Sequence, residues 1–188
     1  IACPSRGDDA VKMMRTLMAL AIIDGRVSVF LEPIALYMLK DLYAGGDNKW
    51  LFRYPGLSEV IPFGEGRIYN EQANDLLIIT FANGVPMSLR AQKTIEAKTN
   101  KKIRILDLRW LQPLNQEQII EHAAACKAVL IVDEGRQTGS VGEGVISLLA
   151  QSLPHRVPIV RVAAQDSYIP LGAAAMTVLP SEEIIVKA

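Results

Sequence analysis

A glycine-rich turn between two apolar runs is the first stretch of this chain that could do chemistry. The stretch DEGRQTGSVGEG, residues 133–144, contains Gly139, Gly142 and Gly144. Glycine-rich turns between a strand and a helix often hold phosphate groups. A dinucleotide site needs G-x-G-x-x-G after the first strand of its unit, whereas here G-x-x-G-x-G follows a late strand, and no P-loop Lys-Ser/Thr follows. We therefore expect the three glycines to close the turn and to pack the next helix against a sheet.

A histidine and a cysteine are the second candidate pair. His122 and Cys126 are four residues apart, so on a helix they share one face and could both bind a metal ion. No second pair of ligands accompanies them, and we expect Cys126 to face the core and His122 the surface. His155 lies in a polar stretch without an obvious partner, and Ser140 is not in the G-x-S-x-G context of a hydrolase nucleophile.

Three pairs of adjacent carboxylates could act as acids, bases or binding groups. They are Asp8/Asp9, Asp133/Glu134 and Glu182/Glu183. The first and last pairs are explained by favourable charge at the start of a helix. Asp133 and Glu134 follow an apolar run and so lie at the carboxyl end of a predicted strand, where α/β proteins place functional groups. We expect this pair to form a site or an interface, with turn capping as the alternative.

Two arginines flank a predicted buried strand in RILDLRWLQPLN. Arg104 lies near its start and Arg109 follows its end. Arg109 is expected to pair with a nearby carboxylate, and Pro113 to lead into the next helix.

The elements that position these residues begin with a helix and a strand. The stretch DDAVKMMRTLMALAIIDG has acids at its start, Asp24-Gly25 at its end and an apolar spacing typical of a helix. The residues at that spacing are Val11, Met14, Met18 and Ala21. RVSVFLEP, which ends at Pro33, has the composition of a buried strand. From Leu36 to about Gly66 glycines and prolines break the pattern, which predicts a long connection between domains.

Strands and helices then alternate regularly. Strands are predicted at 75–82, 102–108, 128–134 and 157–163. Helices are predicted from Pro86 to about Ala97, from Asn115, which forms a capping box with Gln118, to Cys126, at 144–153, and after the cap Ser181. Because the strands are uniformly apolar and alternate with helices, we expect an α/β fold with a mostly parallel sheet covered on both faces.

Composition excludes several classes of protein. The 188 residues are 50% hydrophobic, and 20 basic residues balance 20 acidic ones, so no overall field attracts nucleic acid or an anionic membrane. No apolar run reaches the ~18 residues of a membrane helix. The two cysteines predict a reducing, cytoplasmic setting rather than a disulfide framework. The chain does not begin with Met, and we expect it to be a fragment of a longer protein.

Several segments resemble one known family in the right order. ILDLRWLQPLNQEQII is similar to the D-L-R-x-x-x-P-L/W-D segment of beta subunits of thiamine-diphosphate-dependent 2-oxoacid dehydrogenases. VLIVDEGRQTGSVGEGVISLL, PIVRVAAQDSYIPLG and TVLPSEEIIVKA resemble the segments that follow in that family. Upstream, CPSRGDDAVKMM and IIDGRVSVFLEPIALY resemble the V-x-P-x-x-x-x-D-A-K and I-x-D-x-x-P-V-x-F-x-E-P-x-x-L-Y patterns.

The resemblance implies a domain organisation. Residues 1–63 would be the end of a pyrimidine-binding domain plus a linker, a fragment of one α/β domain. Residues 64–188 would be a transketolase-type C-terminal domain, a three-layer α/β sandwich with a mostly parallel sheet.

The resemblance also implies an activity for the intact enzyme. It would decarboxylate a 2-oxoacid on thiamine diphosphate and pass the acyl group to a lipoyl group. The G-D-G…N motif that binds the cofactor's magnesium and the acidic segment that activates its aminopyrimidine are absent here. No catalytic or cofactor-binding residue is therefore assigned, and this chain alone is expected to be inactive.

Partners and a metal site follow from the same resemblance. The partners would be an alpha subunit or fused alpha domain, a second beta-type domain in a homodimer, and the lipoyl acyltransferase core. Interface positions would include Asp133, Glu134, Asp166 and Tyr168. A potassium ion would be held by backbone carbonyls of Ala21, Asp24 and Arg26.

Two alternatives stay open. The chain could come from a transketolase or a deoxyxylulose-phosphate synthase, although the D-L-R segment favours the dehydrogenase group. It could also be a non-catalytic α/β interaction domain.

Overall fold

The computed structural model describes residues 1–188 and contains one five-stranded sheet with the order β1-β3-β2-β4-β5. The strands are β1 (Arg67–Tyr69), β2 (Leu76–Thr80), β3 (Ile103–Asp107), β4 (Val129–Arg136) and β5 (Ile159–Ala164). The helices are α1 (Gly7–Asp24), α2 (Gly84–Thr99), α3 (Gln116–Ala124), α4 (Val141–Ser152) and α5 (Glu182–Lys187). Short 3₁₀ turns lie at Ile34–Leu36 and Gly172–Thr177.

The sheet is mostly parallel, as the alternation of strands and helices predicts. β2 pairs in parallel with β3 and β4, and β4 pairs in parallel with β5. Only β1 is antiparallel, where Arg67 lies opposite Asp107. Every residue of β3 is buried, because helices cover both faces of a parallel sheet.

Two apolar cores give the three-layer architecture. On one face, Ile78, Ile105 and Leu130 pack with side chains of α2 and α5. On the other face, Leu77, Leu106 and Ile131 pack with side chains of α3 and α4. Alternate residues of each strand therefore serve opposite cores, as the pleat of a strand requires. The predicted three-layer α/β sandwich is confirmed.

Helix termini follow the capping residues in the sequence. The Asn115 side chain accepts a hydrogen bond from the amide of Gln118 at 3.0 Å, which starts α3 as predicted. Ser181 caps α5 in the same way through the amide of Ile184. α1 ends at Gly25, whose φ of 65° is the left-handed conformation that glycine adopts without strain. No helix combines the length and the apolar composition that a membrane crossing needs.

The predicted buried strand RVSVFLEP does not form. Within it only Phe30 makes a β-bridge, to Ala2, and most side chains of the segment are exposed. Ala2 is the one residue that bridges to this segment, and no strand lies on the segment's other side. A ladder of hydrogen bonds therefore does not develop, and neither face of the segment is covered. β1, in contrast, forms although it was not predicted. Its three residues lie between a long connection and a polar turn, and they are too few to show a strand pattern in the sequence.

The apolar face of α1 differs from the predicted one. Met14 and Met18, expected to mark the buried face, are exposed, whereas Asp9, Met13 and Leu17 are buried. These three residues are spaced by four and form one stripe of the helix. α1 is apolar on two sides, and this chain covers the side that carries Asp9.

Candidate functional site

Three parallel strands end together at the carboxyl edge of the sheet, where α/β proteins usually bind ligands. Thr80 at the end of β2 lies opposite Asp107 at the end of β3, and its hydroxyl donates to the Val132 carbonyl of β4 at 2.8 Å. In this chain the start of the polypeptide lies across this edge. The amide of Cys3 donates to the carbonyl of Arg109 at 2.7 Å, directly after β3.

A buried ion pair fixes the start of α1 to this edge. Arg109 donates to both oxygens of Asp9, through Nε at 3.0 Å and Nη2 at 2.8 Å. Arg67 of β1 adds a third hydrogen bond to Asp9 at 2.7 Å. We call Asp9, Arg67, Arg109 and the neighbouring Asp107 the Asp9 junction. A bidentate guanidinium–carboxylate contact of this kind is strong and highly directional.

The backbone at Arg109 is adapted to this contact. Its φ of 57° lies in the left-handed region, which costs a non-glycine residue roughly 1–2 kcal/mol. In that conformation its amide donates to Asp107 Oδ1 at 3.2 Å while its side chain reaches Asp9. The prediction that Arg109 pairs with a carboxylate is confirmed. Asp9 does more than the predicted favourable charge at a helix start, because its side chain is fully buried within the pair.

Asp107 is the second buried carboxylate of the junction. It is fully buried, and its Oδ2 has no hydrogen-bond partner within the chain. Burial raises the pKa of Asp107 to about 7, and the nearby charge of Asp9 adds to the rise, while Ser5 and Arg109 oppose it.

A small apolar core supports the junction from below. It contains Ala2, Met13, Leu17, Ile61 and Trp110. The ring of Phe63 meets Trp110 edge to face, with centroids 5.1 Å apart. Because Met13 and Leu17 follow Asp9 on the same stripe of α1, one helix face supplies both the ion pair and the packing. That spacing is a sequence signal that could have identified Asp9.

The glycine-rich turn is closed by a carboxylate. Asp133 is buried and accepts hydrogen bonds from the amides of Gly135 at 2.7 Å and Gly142 at 2.6 Å. Its negative charge thus occupies the start of α4, where a phosphate would have to bind, and repels an anion there. For Asp133 this geometry corresponds to turn capping, which was the alternative to a site or an interface. Both oxygens of the buried Asp133 are used within the chain, which argues against its predicted direct contact with a partner.

The three glycines of the turn have different roles. A Cβ on Gly142 would lie 2.9 Å from Asp133 Oδ2 and 3.0 Å from Arg161 Cδ, so the predicted packing role is confirmed there. Gly139 has a φ of 74°, which the turn requires. Gly144 has no atom within 4 Å of such a Cβ, so its predicted packing role is wrong. The surface of α4 at Gly144 is open.

The other predicted interface residues lie near this turn. Asp166 accepts hydrogen bonds from the amide and the hydroxyl of Thr138 at 2.8 and 2.6 Å, which connects two exposed loops. Tyr168 is 98% exposed and makes no side-chain hydrogen bond within the chain. Burial and the neighbouring Asp133 raise the pKa of Glu134, while Asn83 opposes the rise. The interface role of Glu134, Asp166 and Tyr168 stays a prediction.

His122 is buried, so the prediction that it faces the surface is wrong. Its Nδ1 lies 2.9 Å from Nη1 of the buried Arg104. Because arginine keeps its proton, His122 must be neutral and accept this bond through Nδ1. Burial, and then the charge of Arg104, lower the pKa of His122. Cys126 is buried as predicted, with its Sγ 3.8 Å from the Ala73 carbonyl.

The predicted potassium residues lie at the exposed end of α1. Ala21, Asp24 and Arg26 surround the left-handed Gly25, and the Leu20 carbonyl accepts from the amides of Gly25 and Arg26. The guanidinium of Arg26 lies 4.7 Å from the Phe63 ring centroid. The role of these three residues in binding potassium stays a prediction.

The side chains of this chain do not fit the diphosphate and magnesium of thiamine diphosphate. No three His, Cys, Asp or Glu side chains come together in a group that could hold a metal ion. The one glycine-rich helix start is closed by Asp133. The carboxyl edge carries the Asp9 junction.

Comparisons with known proteins agree with this architecture. The sequence matches the family "Transketolase, C-terminal domain" over residues 64–183. The pyruvate dehydrogenase E1 component subunit beta of Rickettsia conorii is 31% identical over 175 residues, which is 92% of this chain and 50% of that protein. The same subunit of Staphylococcus aureus is 30% identical over 161 residues, 85% of this chain and 46% of that protein.

The chain thus spans about half the length of the curated relatives it matches. A solved structure described as a split gene transketolase, inactive beta4 tetramer, has the same fold, with a TM-score of 0.73 at 19% identity. The match between the two structures covers 99% of this chain and 54% of the transketolase chain. The resemblance seen in the sequence, to 2-oxoacid dehydrogenase beta subunits with a transketolase-like C-terminal domain, is confirmed. This chain belongs to the transketolase C-terminal domain family.

Proposed function

We propose that the chain is the C-terminal part of the beta subunit, or of a fused alpha–beta chain, of a thiamine-diphosphate-dependent 2-oxoacid dehydrogenase. The intact enzyme would decarboxylate a 2-oxoacid and transfer the acyl group to a lipoyl group. The similarity to two pyruvate dehydrogenase beta subunits over most of this chain supports the proposal. The cofactor supplies the carbanion chemistry and would be bound by other parts of the enzyme. This chain would supply interfaces, and alone it would be inactive.

An interface role is supported by residues 18–38, whose sequence is apolar although the structure leaves most of them exposed. This stretch has the composition of buried structure, yet most of its large apolar side chains are exposed. The exposed side chains are Met18, Ile22, Ile23, Val27, Val29, Leu31, Ile34, Tyr37 and Met38. Many large apolar side chains exposed along one stretch of chain are typical of an interface.

The same mismatch supports the proposed division of the chain. Residues 1–63 would belong to a second α/β domain, in which the segment 26–33 would be a strand with neighbours on both sides. Residues 64–188 would form the C-terminal domain. The Asp9 junction would then hold the two parts together, because Asp9 comes from the first part and Arg67 and Arg109 from the second.

A second proposed contact surface is formed by the loops around Asp166. Tyr168 and Leu171 are 98% and 94% exposed, and Ile169 and Met176 are exposed beside them. We assign this surface, with Glu134, to contact with a second beta-type domain or with the lipoyl acyltransferase core. The first surface, residues 18–38, is assigned to the rest of the second α/β domain.

Two smaller parts of the proposal concern the ion and the compartment. Backbone carbonyls of Ala21, Asp24 and Arg26 would bind potassium at the end of α1. Thermal unfolding in potassium and in sodium chloride at equal ionic strength tests this, since equal midpoints would contradict it. The two free, buried cysteines support a reducing, cytoplasmic setting.

The alternatives differ in their support. The curated relatives favour a dehydrogenase over a transketolase or a deoxyxylulose-phosphate synthase. A non-catalytic interaction domain would share the interface role but would not need an alpha subunit.

Co-expression with the remaining domains of the same enzyme tests the interface. Val27→Asp and Leu171→Asp alter two side chains that are each 94% exposed, so both variants should fold like the wild-type chain. Under the proposal, Val27→Asp abolishes co-purification with the rest of the second α/β domain and Leu171→Asp does not. Equal binding by both variants would contradict the assignment of residues 18–38 to that partner.

A further inference from the structure

Asp107 is a buried acid that the structural role of the Asp9 junction does not require. Asp9 already accepts three hydrogen bonds from two guanidinium groups. Asp107 accepts the backbone amide of Arg109 through one oxygen, and the nearby Ser5 hydroxyl also favours its ionised form. Its other oxygen is buried and has no hydrogen-bond partner within the chain. An ionised carboxylate in this place is poorly compensated.

The charges around Asp107 come from every element packed against it. Asp9 of α1, Tyr69 of β1, Arg109 after β3 and Cys3 before α1 act on it directly, and the next groups outward are Arg6, Asp8, Arg67 and Glu134. Arg109 and Arg67 are already engaged by Asp9. Loss of the Asp107 proton therefore adds a second negative charge to a site whose positive charges are in use. This arrangement favours neutral Asp107, and burial accordingly raises the pKa of Asp107 to about 7.

Arg109 connects this acid to the segment before α1. Its backbone amide donates to Asp107, its side chain donates to Asp9, and its carbonyl accepts from the amide of Cys3. A change of charge at Asp107 thus acts on a residue that makes two of the contacts holding residues 1–9. Arg109 makes these three contacts from a left-handed backbone conformation.

We propose that Asp107 is a proton-dependent latch on the docking of residues 1–9. When Asp107 is neutral, the Asp9 junction holds the segment tightly against the carboxyl edge of the sheet. When Asp107 loses its proton, the added negative charge beside Asp9 weakens the junction, and the segment opens more often. In this way the contact between the two parts of the chain responds to pH near neutrality.

The sign of the effect follows from linkage. The pKa of Asp107 is about 7 in the docked state and close to its ordinary value of 3.8 when the segment is open to water. Docking then loses stability as pH rises from the lower of these values to the higher. Between pH 6 and pH 8 the equilibrium constant for opening rises about tenfold.

The first experiment needs no variant. The side-chain carboxyl ¹³C shift of Asp107, assigned by NMR in the wild-type chain, is followed from pH 4 to pH 9. A titration midpoint close to 7 is expected. A midpoint below about 5 would overturn the latch, because Asp107 would then stay ionised across the neutral range.

The second experiment measures opening itself. Hydrogen exchange of the Cys3 amide, corrected for its intrinsic pH dependence, is compared at pH 6 and pH 8 in three chains. Wild type and the control Asp75→Asn, which alters a Lys127-paired acid in another part of the fold, should each show about tenfold more opening at pH 8. Asp107→Asn should remove that difference. The same pH dependence in Asp107→Asn as in wild type would overturn the proposal, and if this variant does not fold, the carboxyl titration decides alone.

Discussion

Asp9 and Arg109 form a bidentate ion pair across one hundred positions of sequence. The Asp9 side chain is fully buried and that of Arg109 is 6% exposed. The pair joins the first turn of α1 to the end of β3, where an α/β protein would usually bind a ligand. The carboxyl edge is thereby used to hold two parts of the chain together.

Arg109→Met is predicted to destabilise the chain strongly. Methionine keeps most of the side-chain length but leaves Asp9 buried with Arg67 as its only cation. Removing one partner of a buried pair typically costs about 3–5 kcal/mol of unfolding free energy, which urea denaturation measures.

Arg90→Met is the matched control for this change. Arg90 pairs with Glu182 at the surface, where both side chains are partly exposed. An exposed pair contributes at most about 1 kcal/mol, so Arg90→Met should have a small effect. Equal losses in the two variants would show that burial of the Asp9 pair is energetically unimportant.

Gly142 and Gly144 provide a paired test of the glycine-rich turn. Gly142→Ala places a Cβ against Asp133 and Arg161 and should destabilise the chain by about 1–3 kcal/mol. Gly144→Ala meets open space within α4 and should stabilise it by about 0.5–1 kcal/mol. Thermal unfolding of both variants measures this. A destabilising Gly144→Ala would contradict the open surface at that position.

His122 is predicted to make the chain less stable in mild acid. Burial, and then Arg104, lower its pKa in the folded state, so the folded chain favours neutral His122. Its contribution is present above the ordinary pKa of 6.5 and is lost as pH falls below that value. Between pH 6.5 and pH 5 the unfolding free energy of wild type should fall more steeply than that of His122→Gln, by up to about 1.4 kcal/mol per pH unit.

The exposed His155 provides the control for that titration. His155→Gln should keep the steep pH dependence of wild type. If His122→Gln keeps it as well, the buried contact with Arg104 does not determine the behaviour in acid.

The alternation of strands and helices in residues 75–188 could be predicted because each element carries a local signal. The strands are apolar runs, and Asn115 and Ser181 are caps whose hydrogen bonds form within three residues. The pairing of Arg109 with some carboxylate was also predictable, because a buried guanidinium needs a counter-charge. The identity of its partner Asp9 was not predictable, because no local sequence pattern connects two residues so far apart in the chain.

Other errors have the same origin. The strand predicted in residues 26–33 fails because composition cannot show whether neighbouring strands are present. His122 was expected at the surface because its buried partner Arg104 lies on a different element. Met14 and Met18 mark an apolar face of α1, but the contacts of this chain select the face of Asp9, Met13 and Leu17.

The most direct test of the central claim is a calorimetric titration of the 188-residue chain with thiamine diphosphate and Mg²⁺. The claim is that this chain supplies interfaces and a structural junction, with the start of α4 closed by Asp133 and without a site for the diphosphate and Mg²⁺ of the cofactor. It predicts no saturable binding. Saturable heat that disappears in Gly142→Asp, which adds a further carboxylate at the start of α4, would contradict the claim and would make the glycine-rich turn a phosphate site.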